Sequence, residues 1–289
     1  MTMKQTESPI PVKLATIVVT YNPETQDVIG NIHSYSDLTD VLIVWDNTER
    51  EENDWHDLTT FRPDAIVIQK GKNVGLAKAY NEGIAIAKAH GCTHLMTMDQ
   101  DSTFICFERY FPQITENDIL GVAVNRDDYQ TLERHEAGYL CQSGTTFPMS
   151  MFDHIGGFRE DFFIGMVDVE MDIRAAKNGY RLFEAAGCTM QHRVGSGRTA
   201  KVLGHLIHVS DYNPLRLYYD SRNRILMWHE FPDDCDRRFK RRFLFGRIKL
   251  MVKILLLEKD KYSKVRAILR GTCYGLLDKT KPYKKNTAA

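Results

Sequence analysis

The residues that decide how this chain is interpreted are His94-Leu95-Met96-Thr97-Met98-Asp99-Gln100-Asp101-Ser102. The first five form an apolar run that predicts a buried β-strand. Unpaired carboxylates are costly inside a core, but at the C-terminal end of a strand they project into a crevice. Carboxylate oxygens are the ligands that Mg²⁺ and Mn²⁺ prefer. Asp99 and Asp101 are therefore candidate metal ligands.

The segments on either side of this stretch alternate strand and helix patterns. Apolar or β-branched runs predict further strands at residues 15–20, 41–45, 65–68 and 121–124. Predicted helices over residues 25–35 and 76–89 lie between them, which indicates a parallel, doubly wound α/β sheet. Ligands of such sheets bind beyond the carboxyl ends of the strands. Three predicted strands end in polar residues, at Tyr21-Asn22, Asp46-Asn47 and Asp99-Gln100-Asp101.

The second half of the chain is less regular. We expect a helix over residues 167–177, which Asn178-Gly179 would end, and a short strand over residues 188–192. From Arg237 onward, apolar residues mix with many cations, and this pattern predicts amphipathic, basic helices.

The charge of the chain is balanced overall but uneven along its length. The 289 residues carry 38 Lys and Arg against 38 Asp and Glu, so the composition does not favour nucleic acid as a partner. Residues 237–285 hold 17 Lys and Arg and three acids. This basic segment is a candidate for binding an anionic membrane surface. The alternative is that this segment forms a solvated helical cap on the rest of the chain. Such a cap could lie at a homodimer contact.

Cysteine spacing and hydropathy bear on the compartment. The six cysteines lie far apart and form no CxxC pair, so neither a zinc motif nor a redox motif is expected. Residues 1–11 lack an apolar signal core, and no stretch approaches the roughly 20 apolar residues of a membrane-spanning helix. We therefore expect a cytoplasmic protein, with peripheral attachment to the inner face of the membrane as an option.

The polar strand ends predict a nucleotide pocket beside the acids. The segment Thr20-Tyr21-Asn22-Pro23 follows the first strand, and Asp46 follows the second. A carboxylate such as that of Asp46 can accept the N3–H of a uracil or thymine ring. Ordinary turn chemistry explains each segment taken singly. Because the two segments follow adjacent strands, together they favour a nucleotide pocket. Gln100 would lie beside this pocket.

Asn73 and Gly75 precede the helix predicted over residues 76–89. Glycine permits close approach of the backbone, and a helix N-terminus favours anions. The helix itself has a small-residue face suited to packing on a sheet, so only Asn73 and Gly75 are candidate ligand contacts. Neither a GxGxxG motif nor a GxxxxGK[ST] motif is present.

Three residues of the second half complete the candidate set. Asp168 follows the aromatic segment 162–164, which would shield it from water and raise its pKa, so it is a candidate general base. Capping of the helix is the alternative role. His192 ends a short strand and is either a third metal ligand or a structural histidine. Arg222 follows Tyr218-Tyr219 and either neutralises a diphosphate or pairs within its helix.

These segments together resemble bacterial family 2 glycosyltransferases, and within them the rhamnosyltransferase-like branch. The resemblance covers roughly residues 15–226. The segments that carry it, in order, are 15–23, Val44-Trp45-Asp46-Asn47, Asn73-x-Gly75-x-Ala77-x-Ala79-x-Asn81, Met98-Asp99-Gln100-Asp101-Ser102, Gly156-Gly157-Phe158, Asp168-x-Glu170 and Tyr218-Tyr219-x-x-Arg222-Asn223.

The resemblance implies a glycosyltransferase-A fold, a nucleotide-sugar donor linked to dTDP or UDP, Mg²⁺ or Mn²⁺, and inversion at the anomeric carbon. By analogy the donor is dTDP-rhamnose and the acceptor a lipid-linked or cell-surface glycan. The family's nucleobase aspartate corresponds to Asp46, its DxD to Asp99 and Asp101, its base to Asp168 and its metal-proximal histidine to His192. We expect a catalytic domain over residues 1–231, with a nucleotide-binding half (13–125) and an acceptor half (126–231). We expect residues 232–289 to form a basic, amphipathic helical extension.

Two departures from the family pattern stand out. Many members have Glu-Asp where this chain has Val167-Asp168, and a basic pair where it has Pro148-Met149.

Two other functions are also compatible with the sequence. One is a non-catalytic nucleotide-sugar-binding or scaffold subunit. The other is a sugar-nucleotide pyrophosphorylase, which the segment Tyr21-Asn22-Pro23-Glu24 disfavours because that class carries a basic, glycine-rich loop there.

Overall fold

The computed structural model describes residues 11–49, 53–126, 133–192, 198–202, 205–235 and 237–277. Its residues form two compact units. The first comprises the described residues of 1–74, 78–158 and 174–192. The second comprises residues 75–77, 159–173 and the described residues from 193 onward.

The first unit is built on a mixed sheet with strand order β3-β2-β1-β4-β8-β6-β9-β5, and β7 pairs with β9. Strands β1, β2, β3, β4, β6 and β9 run in one direction, so the sheet is mainly parallel as predicted. The strand bounds are β1 Leu14–Thr20, β2 Val41–Asp46, β3 Ile66–Gln69, β4 His94–Asp99, β5 Ser102–Ile105, β6 Asp118–Val124, β7 His135–Glu136, β8 Thr145–Pro148 and β9 Arg181–His192.

The central strands are continuous apolar runs because helices cover both faces of the sheet. All seven residues of β1 and all six of β2 are buried. Parallel strands covered on both faces have this unalternating pattern. The prediction of β1, β2, β3 and β4 from their apolar runs is confirmed to within one residue at each end.

Nine α-helices occur in the described part of the chain. The predicted helices over residues 76–89 and 167–177 are confirmed. The helix bounds are α1 Thr25–Ile32, α2 His56–Phe61, α3 Leu76–Ala89, α4 Phe107–Tyr110, α5 Met149–Ile155, α6 Val167–Lys177, α7 Pro214–Glu230, α8 Arg237–Leu257 and α9 Lys261–Leu276.

Helix α1 ends three residues earlier than the predicted limit of 35. The Ser34 hydroxyl donates to the Asn31 carbonyl at 2.7 Å, and the Thr39 hydroxyl donates to the Tyr35 carbonyl at 3.0 Å. Hydroxyl side chains that bond to nearby backbone groups compete with the helix ladder. A short 3₁₀ turn, Ser36–Leu38, therefore follows the helix.

The predicted strand over residues 188–192 was too short, since β9 begins at Arg181. The charged residues that interrupt the apolar pattern of β9 form ion pairs with residues on the neighbouring strand or just after it. Arg181 pairs with Asp118 of β6 at 3.1 Å, and Glu184 pairs with Arg126. Strands β5 and β8 were not predicted, because both are four residues long and begin with hydroxyl residues.

The second unit contains a two-stranded antiparallel ribbon, β10 Arg198–Val202 and β11 His205–Val209, with helices α7, α8 and α9. Helix α9 lies tightly against α7, since a Cβ on Gly275 would meet the Arg222 carbonyl oxygen at 2.9 Å. The predicted C-terminal helices are thus confirmed. The predicted domain limit at residue 231 stays a prediction, and residues 278–289 of the extension lie outside the described ranges.

No helix in the described part of the chain combines the length and the apolar character needed to cross a bilayer.

Candidate functional site

The polar strand ends of the first unit lie side by side, as the sheet topology requires. In the register of β1, Thr20 is paired with Asp46 of β2, and Val19 is paired with Asp99 of β4. The carboxyl ends of these three parallel strands therefore meet at one edge of the sheet.

The turn between Asp99 and Ser102 is tied to its neighbours through Gln100. The side-chain oxygen of Gln100 accepts the Tyr21 N–H at 2.7 Å, and the Gln100 carbonyl accepts the Asn31 side-chain amide at 2.8 Å. Gln100 thus links the end of β1 to the end of β4. Its observed contacts are with the chain itself, and its role in donor binding stays a prediction.

Asp99, Asp101 and His192 come together as a possible metal-binding trio. Each is half-buried, and their potential ligand atoms all lie within 4.8 Å of one another. His192 Nδ1 is 3.4 Å from an Asp101 carboxylate oxygen. The pairing of β5 with β9 produces this arrangement, because it sets Ser102 opposite His192.

The trio fits a small divalent cation. Ligand atoms about 2.1 Å from a common ion lie up to about 4 Å apart, so the observed spacing needs little adjustment. Two carboxylates and an imidazole suit Mg²⁺ or Mn²⁺, with water or phosphate oxygens at the remaining positions. Partial exposure leaves room for these additional ligands.

Two buried serines support the trio. Ser143 Oγ accepts the Asp99 N–H at 2.9 Å and donates to Ser102 Oγ at 2.8 Å. Ser102 Oγ in turn lies 2.7 Å from His192 Nδ1. Partners of this kind orient a metal-binding histidine. Neither serine was predicted as a site residue, although Ser102 directly follows the acids.

Asp46 lies at the end of β2 and is almost fully buried. One carboxylate oxygen accepts the Thr48 N–H at 2.9 Å. The other accepts the Asn53 side-chain amide at 2.6 Å and the Trp55 indole N–H at 3.2 Å. Asp46 therefore organises the loop that follows β2. Its Asn53 and Trp55 partners were not predicted.

The remaining donor candidates of the first unit surround this loop. Thr20 Oγ is buried and has no hydrogen-bond partner among the described residues. Asn22 adopts a positive φ of 44°, and its N–H donates to Thr48 Oγ at 2.9 Å. Tyr21 is exposed. Asn73 is half-buried and precedes Val74, whose N–H donates to the Asn47 side chain at 3.2 Å.

Gly75 belongs to the second unit, where it makes room for Phe163. Its φ is +88°, and a Cβ there would lie 2.6 Å from the Phe163 ring. The next N–H, that of Leu76, donates to the Phe163 carbonyl at 2.6 Å. The first N–H of α3 is thus already paired, so the packing of Phe163 explains the glycine.

Asp168 lies in the first turn of α6. Burial raises the pKa of its carboxyl above the ordinary value. The Val169 N–H, which donates to it at 2.9 Å, opposes this shift, and so do the charges of Arg224 and Arg216. A carboxyl with a raised pKa binds a proton more strongly, which suits a general base.

Arg222 is fully buried in the second unit. Its guanidinium donates to the Asp161 carbonyl and, at 3.0 Å, to the side-chain oxygen of Asn223. It also lies 4.8 Å from the Tyr219 ring centroid. These contacts hold the segment that precedes Asp168, and contact with a diphosphate stays a prediction.

Asn223, which was not predicted as a site residue, fastens the same segment. Its side-chain amide donates to the carbonyls of Phe162 (2.8 Å), Ile164 (3.1 Å) and Gly165 (2.8 Å). This segment contains two non-glycine residues with positive φ, Phe163 at 57° and Met166 at 64°. Such conformations persist only where surrounding contacts enforce them.

Comparison with known families decides the class of this protein. The family model described as Glycosyl transferase family 2 matches residues 16–166, more than half of the chain. The chain belongs to glycosyl transferase family 2. As a family 2 glycosyltransferase it is an enzyme of the predicted class. The matched range contains the ends of β1, β2 and β4 and stops before Asp168 and His192.

A curated relative supports a narrower resemblance. The dTDP-rhamnosyl transferase RfbF of Shigella flexneri is 26% identical to this family 2 glycosyltransferase over 239 residues. The alignment covers 73% of this chain and 78% of the relative. Together with the family match, it confirms the predicted resemblance to the rhamnosyltransferase-like branch.

Solved structures confirm the glycosyltransferase-A fold. GalNAc-T7, solved with UDP, GalNAc and Mn²⁺, superposes with a TM-score of 0.56 at 11% identity. That likeness covers 80% of this chain and 54% of GalNAc-T7, so the chain spans about half the length of that protein. Residues 1–349 of TarS from S. aureus superpose with a TM-score of 0.52 at 13% identity, covering 91% of this chain and 81% of that one.

Proposed function

We propose that this family 2 glycosyltransferase moves rhamnose from dTDP-rhamnose to a hydroxyl group of a lipid-linked or cell-surface glycan, with inversion at the anomeric carbon. The observation that carries the proposal is the trio of Asp99, Asp101 and His192 at the end of β4. The donor is suggested by the name of the Shigella flexneri relative.

The trio would hold Mg²⁺ or Mn²⁺. The solved relative GalNAc-T7 carries Mn²⁺ together with UDP, in agreement with this proposal. A divalent ion supplies charge stabilisation for the nucleoside diphosphate as it leaves. Asp99 and Asp101 contribute carboxylate oxygens, and Ser102 and Ser143 keep Asp99 and His192 in position.

The strand ends would bind the nucleoside. Asp46 orders the loop after β2 through its contacts with Thr48, Asn53 and Trp55. We propose that this loop and the segment Thr20-Tyr21-Asn22 receive the thymine and the ribose, with Gln100 joining the two sides. Asn73 completes the proposed donor set, whereas the contacts of Gly75 with Phe163 and of Arg222 with Asp161 favour a structural role for these two residues.

Asp168 would act as general base. In the reaction the acceptor oxygen forms a bond to the anomeric carbon, and the bond between that carbon and the diphosphate oxygen breaks. The proton of the acceptor hydroxyl passes to the Asp168 carboxylate. The electron pair of the broken bond leaves with dTDP. The raised pKa of Asp168 matches this task, since a stronger base takes the proton more readily.

A donor screen tests the proposal. The purified chain is incubated with Mn²⁺ and a panel of dTDP- and UDP-linked sugars, and the release of nucleoside diphosphate and the products are followed by mass spectrometry. We expect turnover of dTDP-rhamnose above all other donors, and its loss in the Asp168→Asn variant. Preferential turnover of a UDP-linked sugar would refute the proposed donor. Absence of any turnover, with nucleotide binding retained, would favour a scaffold subunit instead.

A further inference from the structure

Helix α8 presents an apolar stripe that no described residue covers. Leu244, Ile248, Val252 and Leu255 recur at intervals of four, four and three residues, so they lie on one face of the helix. Phe245 and Leu256 flank them and are 61% and 69% exposed. Such a run of exposed large apolar side chains marks an interaction surface.

The opposite face of the same helix is already occupied. Ile254 is fully buried in a core cluster with Tyr218 of α7 and Ile268 of α9. Arg247 pairs with Asp220 and donates to Ser221 Oγ at 3.3 Å. The helix is therefore anchored to its unit by one face, and the apolar stripe points away from that anchor.

Cations accompany the stripe. The sequence of α8 contains eight Lys and Arg and no Asp or Glu. Arg241 and Lys249 are exposed on α8. An exposed apolar face flanked by basic side chains is the arrangement with which interfacial helices bind anionic bilayers.

Two other occupants fit less well. A second copy of this chain in a symmetric contact would bring the same cations opposite one another, and like charges oppose association. Residues 278–289 also lack the apolar side chains to cover the stripe, since Tyr283 is their single large apolar residue.

We infer that the apolar stripe of α8 docks the protein on an anionic membrane surface. Phe245, Ile248 and Val252 enter the boundary between headgroups and acyl chains. Arg241 and Lys249 lie at the level of the anionic headgroups. This docking is independent of the proposed donor, and it would hold for any acceptor.

Vesicle flotation with the full-length protein tests the inference. The vesicles contain phosphatidylcholine alone or with 30% phosphatidylglycerol, a composition chosen for this experiment. We expect binding to the anionic vesicles that weakens as salt is raised. The Phe245→Ser/Ile248→Ser variant should bind at least about tenfold more weakly, because two side chains lose their apolar environment. Leu38→Ser, which removes an exposed leucine on the 3₁₀ turn after α1, is the matched control and should bind as the wild type does.

A charge series provides the second arm. Arg241→Gln and Lys249→Gln should each weaken binding to anionic vesicles about fivefold, the equivalent of about 1 kcal/mol per cation. Lys72→Gln, an exposed lysine of the first unit, should have no effect. Equal binding of wild type and Phe245→Ser/Ile248→Ser would overturn the inference. So would a wild-type dimer in sedimentation velocity that this variant abolishes while its vesicle binding persists.

Discussion

Ser102 and Ser143 position the trio of Asp99, Asp101 and His192 through hydrogen bonds, although neither is a candidate ligand itself. Both are fully buried, and they connect the backbone of Asp99 to the imidazole of His192. Ser102 Oγ lies 2.7 Å from His192 Nδ1 and thereby fixes the orientation of the imidazole beside Asp101. Groups in this position tune metal affinity by about 10- to 100-fold.

We therefore expect Ser102→Ala to weaken Mn²⁺ binding about tenfold, because His192 Nδ1 loses its partner. Isothermal titration calorimetry with Mn²⁺ measures the effect directly. Ser102→Thr keeps the hydroxyl and should restore most of the affinity. Equal affinities of the alanine variant and the wild type would show that the serine does not orient the histidine.

The raised pKa of Asp168 has consequences for both rate and stability. Because the ionised form is the base, kcat/KM should rise with pH through a value above 3.8, the ordinary pKa of an aspartate. In Asp168→Asn this limb should vanish along with most of the transfer. A pH–rate profile of the two proteins makes the comparison, and an unchanged limb in the variant would exclude Asp168 as its source.

The same pKa shift predicts that the Asp168→Asn variant is more stable than the wild type at neutral pH. A carboxyl whose folded pKa is raised contributes stability that is complete below its unfolded pKa and lost as pH rises through the folded pKa. Asp168→Asn carries no charge at any pH, so its free energy of unfolding at pH 7 should exceed that of the wild type. The difference should disappear near pH 3. Denaturation at both pH values measures it.

At the scale of elements, helix α7 holds the segment before α6 in place. Asn223 on α7 supplies one amide to three carbonyls of residues 162–165. The ring of Phe163 stacks on Tyr219 with centroids 4.8 Å apart. The strained backbone before Asp168 is thus maintained by a helix that follows it by about fifty residues.

Asn223→Ala should lower the free energy of unfolding by about 1–3 kcal/mol, because it leaves buried carbonyls without donors. It should also lower kcat more than it changes the KM for the donor, since the segment that it releases leads directly into the helix that carries Asp168. Urea denaturation and steady-state kinetics give the two quantities. Asn178→Ala, where an exposed amide bonds to a single carbonyl, is the control and should change either quantity little.

The sequence predicts some elements better than others. The difference depends on whether the polar side chains of an element find their partners nearby or far away in the chain. Strands β1 and β2 are buried along their whole length and consist mainly of apolar residues, so their bounds follow from the sequence to within one residue. In β9 the charges of Arg181 and Glu184 are neutralised by residues far away in the chain. The same holds within the site, where the contact of His192 with Ser102 depends on strand pairing that no local pattern encodes.

At the scale of the whole molecule, a bound ligand should stabilise the fold. Any ligand that binds the native state alone raises its stability, by about 2.7 kcal/mol at 100 times the dissociation constant. We expect Mn²⁺ and dTDP together to raise the melting temperature by several degrees, and EDTA to cancel the effect. Differential scanning fluorimetry measures the shift.

Asp101→Ala should lose this shift because Asp101 would supply one of the carboxylate ligands of the divalent ion in the proposed complex. Asp37→Ala, which removes a carboxylate on the 3₁₀ turn after α1, should keep it. A full shift in Asp101→Ala would argue that dTDP binds without the trio.

The pairing of β5 with β9 also determines when the site can exist. Ser102 and His192 are separated by 90 positions in the chain. A nascent polypeptide that has left the ribosome only through β6 already carries both aspartates, but β5 still lacks its partner strand and the imidazole has not been synthesised. The three side chains of the trio can come together only after β9 has been translated, so any ion that needs all three of them would bind late in synthesis.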